Sequence, residues 1–510
     1  MTVIQTEPEI PARAQGASVA IITLGCGRNE VDSDQLAGLL HRTGHDVTDD
    51  PESAEVVIVN TCTFIAPAKQ ESIDTVLEAC QLKHDARARA VVIVGCMAQR
   101  YPDELAEAIP EADAVVGFDG YTRLGEVIGQ VLDGTLPARV VGVGPAHPGS
   151  RPSLSLPVVS TTSTRASSAE SPAVATQDDL DRIPASGPRF VMRAHDGRPW
   201  AYLKIASGCD RVCTFCAIPS FRGRFRSRPL DEIVVEAQQL AGSGVRELVL
   251  VSENTTSWGK DLPGGRSLQP RLLRALGDVD AIERVRLMYL QPAELTDELL
   301  EAMAGEPKVA SYFDLSLQHV SGPVVERMAR SGDHERFGAL IERIRGLDPD
   351  AVFRSNFIVG FPGETDADAR RLEDFLLEHR LDWVGLFAYS PEDGTPAMDM
   401  PGQVPEDVAR DRLNHLSEIQ ERVADDGARR FVGRDLEVIV QERGEATLAR
   451  SYREAPDTDG EIELRTPGHG PADLPVGRTL TVRVADAVGV DLIAHVDAGS
   501  AGPEGTRARA

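Results

Sequence analysis

The sequence predicts an α/β protein built from three units. These are a parallel-sheet domain carrying three cysteines, a partial (βα) barrel, and a small C-terminal β-barrel of the oligonucleotide-binding kind. Three observations predict it. Valine-rich runs alternate with helical stretches from residue 18 to about 135. Strand and helix patterns then repeat six times between Trp200 and Tyr389. Short apolar–polar alternations broken by Gly and Pro fill residues 434–496.

In the first unit the runs are Val19-Ala20-Ile21-Ile22-Thr23, Val56-Val57-Ile58-Val59 and Val91-Val92-Ile93-Val94. Helical stretches such as Asp34 to Arg42 and Gln70 to Lys83 lie between them. Continuous apolar strands alternating with helices belong to a parallel sheet covered on both faces. Each run is followed by a cysteine: Cys26, Cys62 and Cys96. In a parallel sheet such strand ends emerge along one edge, where ligands bind. Three thiols far apart in sequence thus meet at one place. Cys80 differs, because it continues a stripe of Ile73, Val76 and Leu77 on a helix, which is core packing.

From Gly144 to Pro188 Ser, Thr, Pro and Ala dominate, as in Ser160-Thr161-Thr162-Ser163-Thr164. Such a stretch buries too little apolar surface to offset its ordering entropy and reads as a disordered linker. The strands expected after it are Ala201–Ile205, Glu247–Val251, Val285–Leu290, Tyr312–Leu317, Val352–Val359 and Trp383–Ala388. Six βα repeats curve into a partial barrel, whose active site lies at the C-terminal ends of the strands. The loop after the first of these strands carries Cys209, Cys213 and Cys216. Three thiolates on one short loop can hold three irons of a 4Fe–4S cube and leave the fourth iron for another ligand. Zinc sites of this type need a fourth Cys or His close by, and none lies between Cys216 and His319. The expected boundaries are 18–135 for the sheet unit, 136–194 for the linker, 195–430 for the partial barrel with its following helix, and 431–498 for the last barrel.

The 510 residues include 80 acidic and 53 basic side chains, a net charge of −27. A field of that sign repels phosphate backbones and attracts basic partners. Residues 434–496 carry 12 Asp and Glu against 7 Arg, with no lysine and one aromatic residue, Tyr452. Single-strand binders use a basic groove and stacking rings, so this barrel argues against RNA as its ligand. Unpaired cysteines of the cluster type point to a reducing cytoplasm. The first residues lack a signal-peptide pattern, and no apolar run reaches bilayer-spanning length.

The Cys-x3-Cys-x2-Cys loop opening a partial barrel resembles the radical S-adenosylmethionine (SAM) enzymes. With a three-cysteine sheet domain before it and a TRAM-like barrel after it, the chain is similar to the methylthiotransferases among them. Leu24-Gly25-Cys26-Gly27-Arg28-Asn29-Glu30, Ile218-Pro219-Ser220-Phe221-Arg222-Gly223 and Tyr389-Ser390-Pro391-Glu392-Asp393-Gly394 resemble the branch that modifies an aspartate of the twelfth protein of the small ribosomal subunit. The branch acting on adenosine in transfer RNA typically has Tyr-Thr-Arg-Gly in place of Ser220-Phe221-Arg222-Gly223, and a basic residue at position 392.

The resemblance implies two 4Fe–4S clusters and SAM as cofactors. Cys209, Cys213 and Cys216 would hold the cluster that cleaves SAM to a deoxyadenosyl radical, which abstracts hydrogen from the aspartate β-carbon. Cys26, Cys62 and Cys96 would hold a second cluster that presents sulfur. By the same resemblance Gly360 and Gly363 would contact adenosine, Glu253 the methionine end of SAM, and Phe215 the adenine pocket. A turn explains the two glycines equally well, and packing explains Phe215. Arg222, Arg224, Arg226 and Arg228 recur at every second position of one extended face, either to grip a carboxylate or, as the plainer reading, as a solvated, charged strand. The implied partner is a basic ribosomal protein, with the electron and sulfur donors left open. Three rival readings remain: methylthiolation of transfer RNA, a cluster protein that only senses or shuttles electrons, and structural zinc.

Overall fold

Strands β1 (Ser18–Thr23), β2 (Asp46–Thr48), β3 (Val56–Thr61), β4 (Ala90–Val94), β5 (Ala114–Val116) and β6 (Val140–Val141) form one sheet in the order β2-β1-β3-β4-β5-β6. Every neighbouring pair is parallel. The structure is a computed structural model that describes residues 16–143, 197–466 and 470–496.

The apolar runs are continuous because both faces of this sheet are covered. All residues of β3 and β4 are buried. Val57, Val59, Val91 and Ile93 face a core that includes Ile73, Val76 and Cys80 of the helix Ala66–Asp85. Val56, Ile58, Val92 and Val94 face the opposite core, with Leu36 and Leu40 of the helix Gly27–Arg42 and Val127 and Ile128 of the helix Leu124–Leu132. Leu77, expected in the stripe with Cys80, is 41% exposed. Strand β6 pairs with β5 through Val115↔Val140 and Val116↔Val141, so the sheet runs past the boundary expected at 135. From residue 144 to 196 the expected linker lies outside the described residues, as does the end of the last barrel beyond 496.

The chain divides into two units. The first gathers the sheet domain with two later segments, 217–224 and 392–394. The second holds the partial barrel and the terminal barrel. Strands β7 (Trp200–Lys204), β8 (Glu247–Val251) and β9 (Arg284–Leu287) form one parallel sheet. Strands β10 (Tyr312–Gln318), β11 (Val352–Val359) and β12 (Trp383–Ala388) form another. The bridges Val285↔Val309 and Leu290↔Leu315 carry the ladder from one to the next, giving a six-stranded partial barrel in chain order.

In the terminal barrel β13 (Asp435–Arg443), β14 (Thr447–Arg450), β15 (Ile462–Thr466), β16 (Thr479–Val488) and β17 (Asp491–His495) close in the order β14-β13-β16-β17-β15, with β15 returning to β14. Alternation places Leu436, Val438, Leu480, Val482 and Val484 inside.

A buried ionic cluster fastens the terminal barrel to the partial one. Glu247 at the start of β8 accepts from Arg286 Nε at 2.8 Å and from Arg450 Nη2 at 3.0 Å, with Arg284 Nη1 at 3.5 Å. The remaining guanidinium hydrogens go to carbonyls of the terminal barrel: Arg284 donates to Glu437 and Arg450, and Arg286 to Ser451 and Tyr452. Among the described residues no helix is long and apolar enough to cross a membrane.

Candidate functional site

Cys26, Cys62 and Cys96 follow β1, β3 and β4, which are consecutive neighbours in the sheet. Cys26 precedes the first turn of the helix Gly27–Arg42, and Cys96 lies in the first turn of the helix Gly95–Arg100. Two glycines make this approach possible. Gly25 has φ +93°, and a Cβ there would lie 2.8 Å from Cys62 Cβ and 2.9 Å from its Sγ. Gly95 has φ +93°, and a Cβ would lie 2.4 Å from Asn60 Oδ1. Only glycine fits either position.

Polar side chains hold the loops. Asn29 Nδ2 donates to Leu24 O at 2.8 Å and Thr61 O at 3.1 Å, tying the Cys26 loop to the end of β3. Asn60 Nδ2 donates to Asn29 O and Ser33 Oγ. The Ser72 hydroxyl accepts from the Cys62 N–H at 2.9 Å and donates to the Cys62 carbonyl at 3.0 Å.

The three thiols feel one another. Burial pushes Cys62 up to about 12, reinforced by Cys96 and Cys26. Burial likewise raises Cys96 against the opposing pull of Arg222. At Cys26 burial also acts upward, but Arg28 and Arg222 together outweigh it and leave the thiol below its ordinary value. Arg28 Nε donates to Cys26 Sγ at 3.3 Å, and Arg222 Nη2 to Cys96 Sγ at 3.2 Å. As metal ligands the three would be thiolates, and a bound metal centre would supply the positive charge that offsets them.

The second trio occupies the loop after β7. Thr214 pins it, with its N–H on Met328 O at 3.2 Å, its hydroxyl on Arg327 O at 2.8 Å, and its carbonyl accepting from Ala397 N at 2.9 Å. Cys216 N–H donates to Cys213 O at 3.1 Å, closing a turn. Burial pushes Cys209 up to about 11, although its Sγ accepts from Arg211 N at 3.4 Å, and Cys213 and Glu253 push the same way as burial. Arg330 Nη1 lies 3.6 Å from Cys213 Sγ, while its Nη2 is anchored on Gln291 Oε1 and Ser316 O. All three cysteines are half-buried.

The burial of the first trio and the arginines beside both suit an anionic, thiolate-held cluster.

Residues 18–117 match the model of the uncharacterized protein family UPF0004, 203–376 that of the Radical SAM superfamily, and 432–496 that of the TRAM domain. The ribosomal protein uS12 methylthiotransferase RimO of Kineococcus radiotolerans is 46% identical over 95% of this chain and 98% of its own length. Its namesake in Streptomyces coelicolor matches equally well, at 46% over 95% and 98%. That in Saccharopolyspora erythraea is 47% identical over 93% and 94%. The chain belongs to the RimO family.

As a member of the RimO family it is a radical SAM methylthiotransferase, with SAM and 4Fe–4S clusters as cofactors. The other residues singled out in the sequence find varied places. Glu253, at the end of β8, is buried and close enough to Cys209 to act on its thiol. Its neighbours are committed elsewhere: Asn254 Nδ2 donates to Ser257 Oγ and Glu294 Oε1, and Ser252 Oγ accepts from Asn254 N–H. Phe215 packs on Val324, Met328, Phe361 and Ala397. Gly360 and Gly363 turn the chain after β11 with φ +77° and +78°. A Cβ on Gly360 would lie 2.5 Å from Ala409 Cβ, and one on Gly363 2.9 Å from the Arg327 guanidinium.

Arg222 and Arg228 overturn the reading of a solvated strand. Pro219 opens a short helix, Ile218–Arg222, which breaks the alternation. Arg222 is buried against Asp32, and Arg228 is buried against Glu236 at 2.8 Å. Of the cations beside the sulfurs, Arg28 lies two residues after Cys26, whereas Arg222 and Arg330 reach their cysteines only through the tertiary fold and had no signal in spacing.

Proposed function

We propose that this chain methylthiolates the β-carbon of an aspartate of ribosomal protein uS12. The observation that carries the reading is the presence, on one chain, of two thiol trios, one at the ends of three neighbouring parallel strands and the other on the loop after β7. Cys209, Cys213 and Cys216 would hold one 4Fe–4S cluster, and Cys26, Cys62 and Cys96 the other. When bound, these groups supply one-electron cleavage of SAM and a sulfur for transfer.

The chain's own residues position that chemistry. Glu253 offers a buried carboxylate beside Cys209 for the SAM ammonium group. The turn at Gly360–Gly363, after β11, would meet adenosine through its backbone, its glycines being required by the packing of Ala409 and Arg327, and Phe215 borders the same apolar cluster. Thr214 keeps the cysteine loop fixed through three hydrogen bonds. Arg28 and Arg222 on one trio, and Arg330 on the other, offset the negative charge that thiolate-bound clusters carry.

A basic protein suits this surface better than a nucleic acid. Six of the seven arginines of residues 434–496 already form ion pairs, with Asp350, Asp473, Glu247, Glu454, Glu463 and Asp435. The segment's 12 Asp and Glu against 7 Arg, with one aromatic residue, leave a net negative barrel without the basic groove and stacking rings of a single-strand binder. A ribosomal substrate places the reaction in the cytoplasm. The test is anaerobic incubation of reconstituted enzyme, SAM and reductant with uS12 and, separately, transfer RNA. A methylthio mass gain on uS12 is expected; a gain on transfer RNA alone would reject the proposal.

A further inference from the structure

Arg222 is a buried cation with an unusual set of partners. One nitrogen, Nη2, lies 3.0 Å from Asn29 Oδ1, 3.0 Å from Asp32 Oδ2 and 3.2 Å from Cys96 Sγ. Its guanidinium carbon lies 5.0 Å from the centre of the Phe118 ring. Arg222 and Asp32 side chains are 6% and 2% exposed. Tyr121 closes the same neighbourhood, its hydroxyl accepting the Gly95 N–H at 3.0 Å.

Nη2 carries two hydrogens for three acceptors, so the guanidinium is shared between the Asp32 carboxylate, the Asn29 amide oxygen and the Cys96 sulfur. Hydrogen bonds to cluster sulfurs, together with net charge and exposure, set the reduction potential of an iron–sulfur site. The position in the chain adds a second feature. Arg222 lies six residues after Cys216, but its segment, 217–224, packs with the sheet unit. The loop that carries the second trio therefore continues into the residue that contacts the first.

We infer that Arg222 is a positioning residue that sets the reduction potential of the cluster on Cys26, Cys62 and Cys96, with Asp32 as its counterweight. The inference rests on the assignment of that trio as cluster ligands. Reduction adds one electron to the cluster, and a nearby positive charge favours the reduced form. Removing Arg222 lowers the potential. Removing the Asp32 carboxylate leaves the guanidinium uncompensated and raises it.

The test uses the full-length chain with Cys209, Cys213 and Cys216 replaced by Ala, so that only the sheet cluster remains. Iron and sulfide are counted, and the midpoint potential is read by EPR-monitored titration. Arg222→Gln is expected to shift the potential negative, Asp32→Asn positive, and Arg222→Lys to stay nearer the parent than Arg222→Gln. Opposite shifts at unchanged iron content support the inference. Unmoved potentials, shifts of the same sign, or equal loss of iron from all three variants overturn it. A parent that binds no iron would instead reject the underlying ligand assignment, and the inference with it.

Discussion

Glu392 accepts a hydrogen bond from Arg100 at 3.1 Å although 292 residues separate them. Lys69 Nζ reaches the same carboxylate oxygen at 2.9 Å, and both Glu392 and Arg100 side chains are 4% exposed. Arg100 ends the helix that carries Cys96, and it also donates to Thr63 O, next to Cys62. A segment from far along the chain thus braces two of the sheet cysteines. Removing one partner of a buried pair costs about 3–5 kcal/mol, because the remaining charges stay desolvated. Glu392→Ala is expected to lower the denaturation midpoint accordingly and to weaken iron retention at the sheet site. A midpoint within error of the parent would contradict the role. A basic residue at 392 would set a third cation against Lys69 and Arg100, so this position cannot take one without other changes nearby.

Gly25→Ala should separate the two clusters. The added methyl would meet both Cβ and Sγ of Cys62 at under 3 Å, at a φ of +93°. The backbone strain alone is about 1–3 kcal/mol, and the steric conflict falls on a proposed ligand. The variant is expected to lose the iron of the sheet cluster while still cleaving SAM to deoxyadenosine. Full iron content in Gly25→Ala would show that the loop adjusts and that the close approach is not required.

The strands were legible where composition was extreme. Val56–Val59 and Val91–Val94 admit no exposed face, so a doubly covered parallel sheet follows from the residues alone. The barrel strands begin or end within a few residues of their expected places, because each is an apolar run bounded by turn residues. Strand β6, at Val140–Val141, was missed, since two residues carry no period. The misreading of Arg222 has a similar cause. Its alternation with Arg224, Arg226 and Arg228 mimics a strand, while its partner Asp32 lies 190 residues away. Long-range polar pairs leave no local pattern. The cysteines were visible because their chemistry marks them; Arg222 and Arg330, which reach them from more than a hundred residues away, were not.

Cys80→Ala is expected to leave both clusters intact. Cys80 is buried in the apolar core among Ile73, Val76, Val57 and Val59, on the helix Ala66–Asp85 rather than at a strand end with Cys26, Cys62 and Cys96. The loss of a small buried side chain costs about 1 kcal/mol. Iron content and SAM cleavage should match the parent, with only a slightly lower Tm. Iron loss from this variant would mean that the seven thiols have been divided wrongly.

The Glu247 cluster makes a pH-dependent contribution with a definite sign. Burial alone would raise its carboxyl, but Arg450, Arg286 and Arg284 outweigh it and hold it at about 2, against an ordinary value of 4.5. A carboxyl depressed on folding stabilises the native state fully above its unfolded value and loses that contribution as pH falls through the folded one. The window therefore runs from about pH 4.5 down to about 2, and the shift corresponds to about 3 kcal/mol. Because the clusters are acid-labile, the measurement belongs on the iron-free chain, with stability followed by denaturant titration at each pH. The parent should lose stability across this window. Glu247→Gln should be less stable at neutral pH, since three buried guanidinium groups then lack their carboxylate, and should show a flatter profile between pH 4.5 and 2. A variant profile as steep as the parent's would assign the acid sensitivity to other carboxylates and remove Glu247 as the titrating anchor between the two barrels.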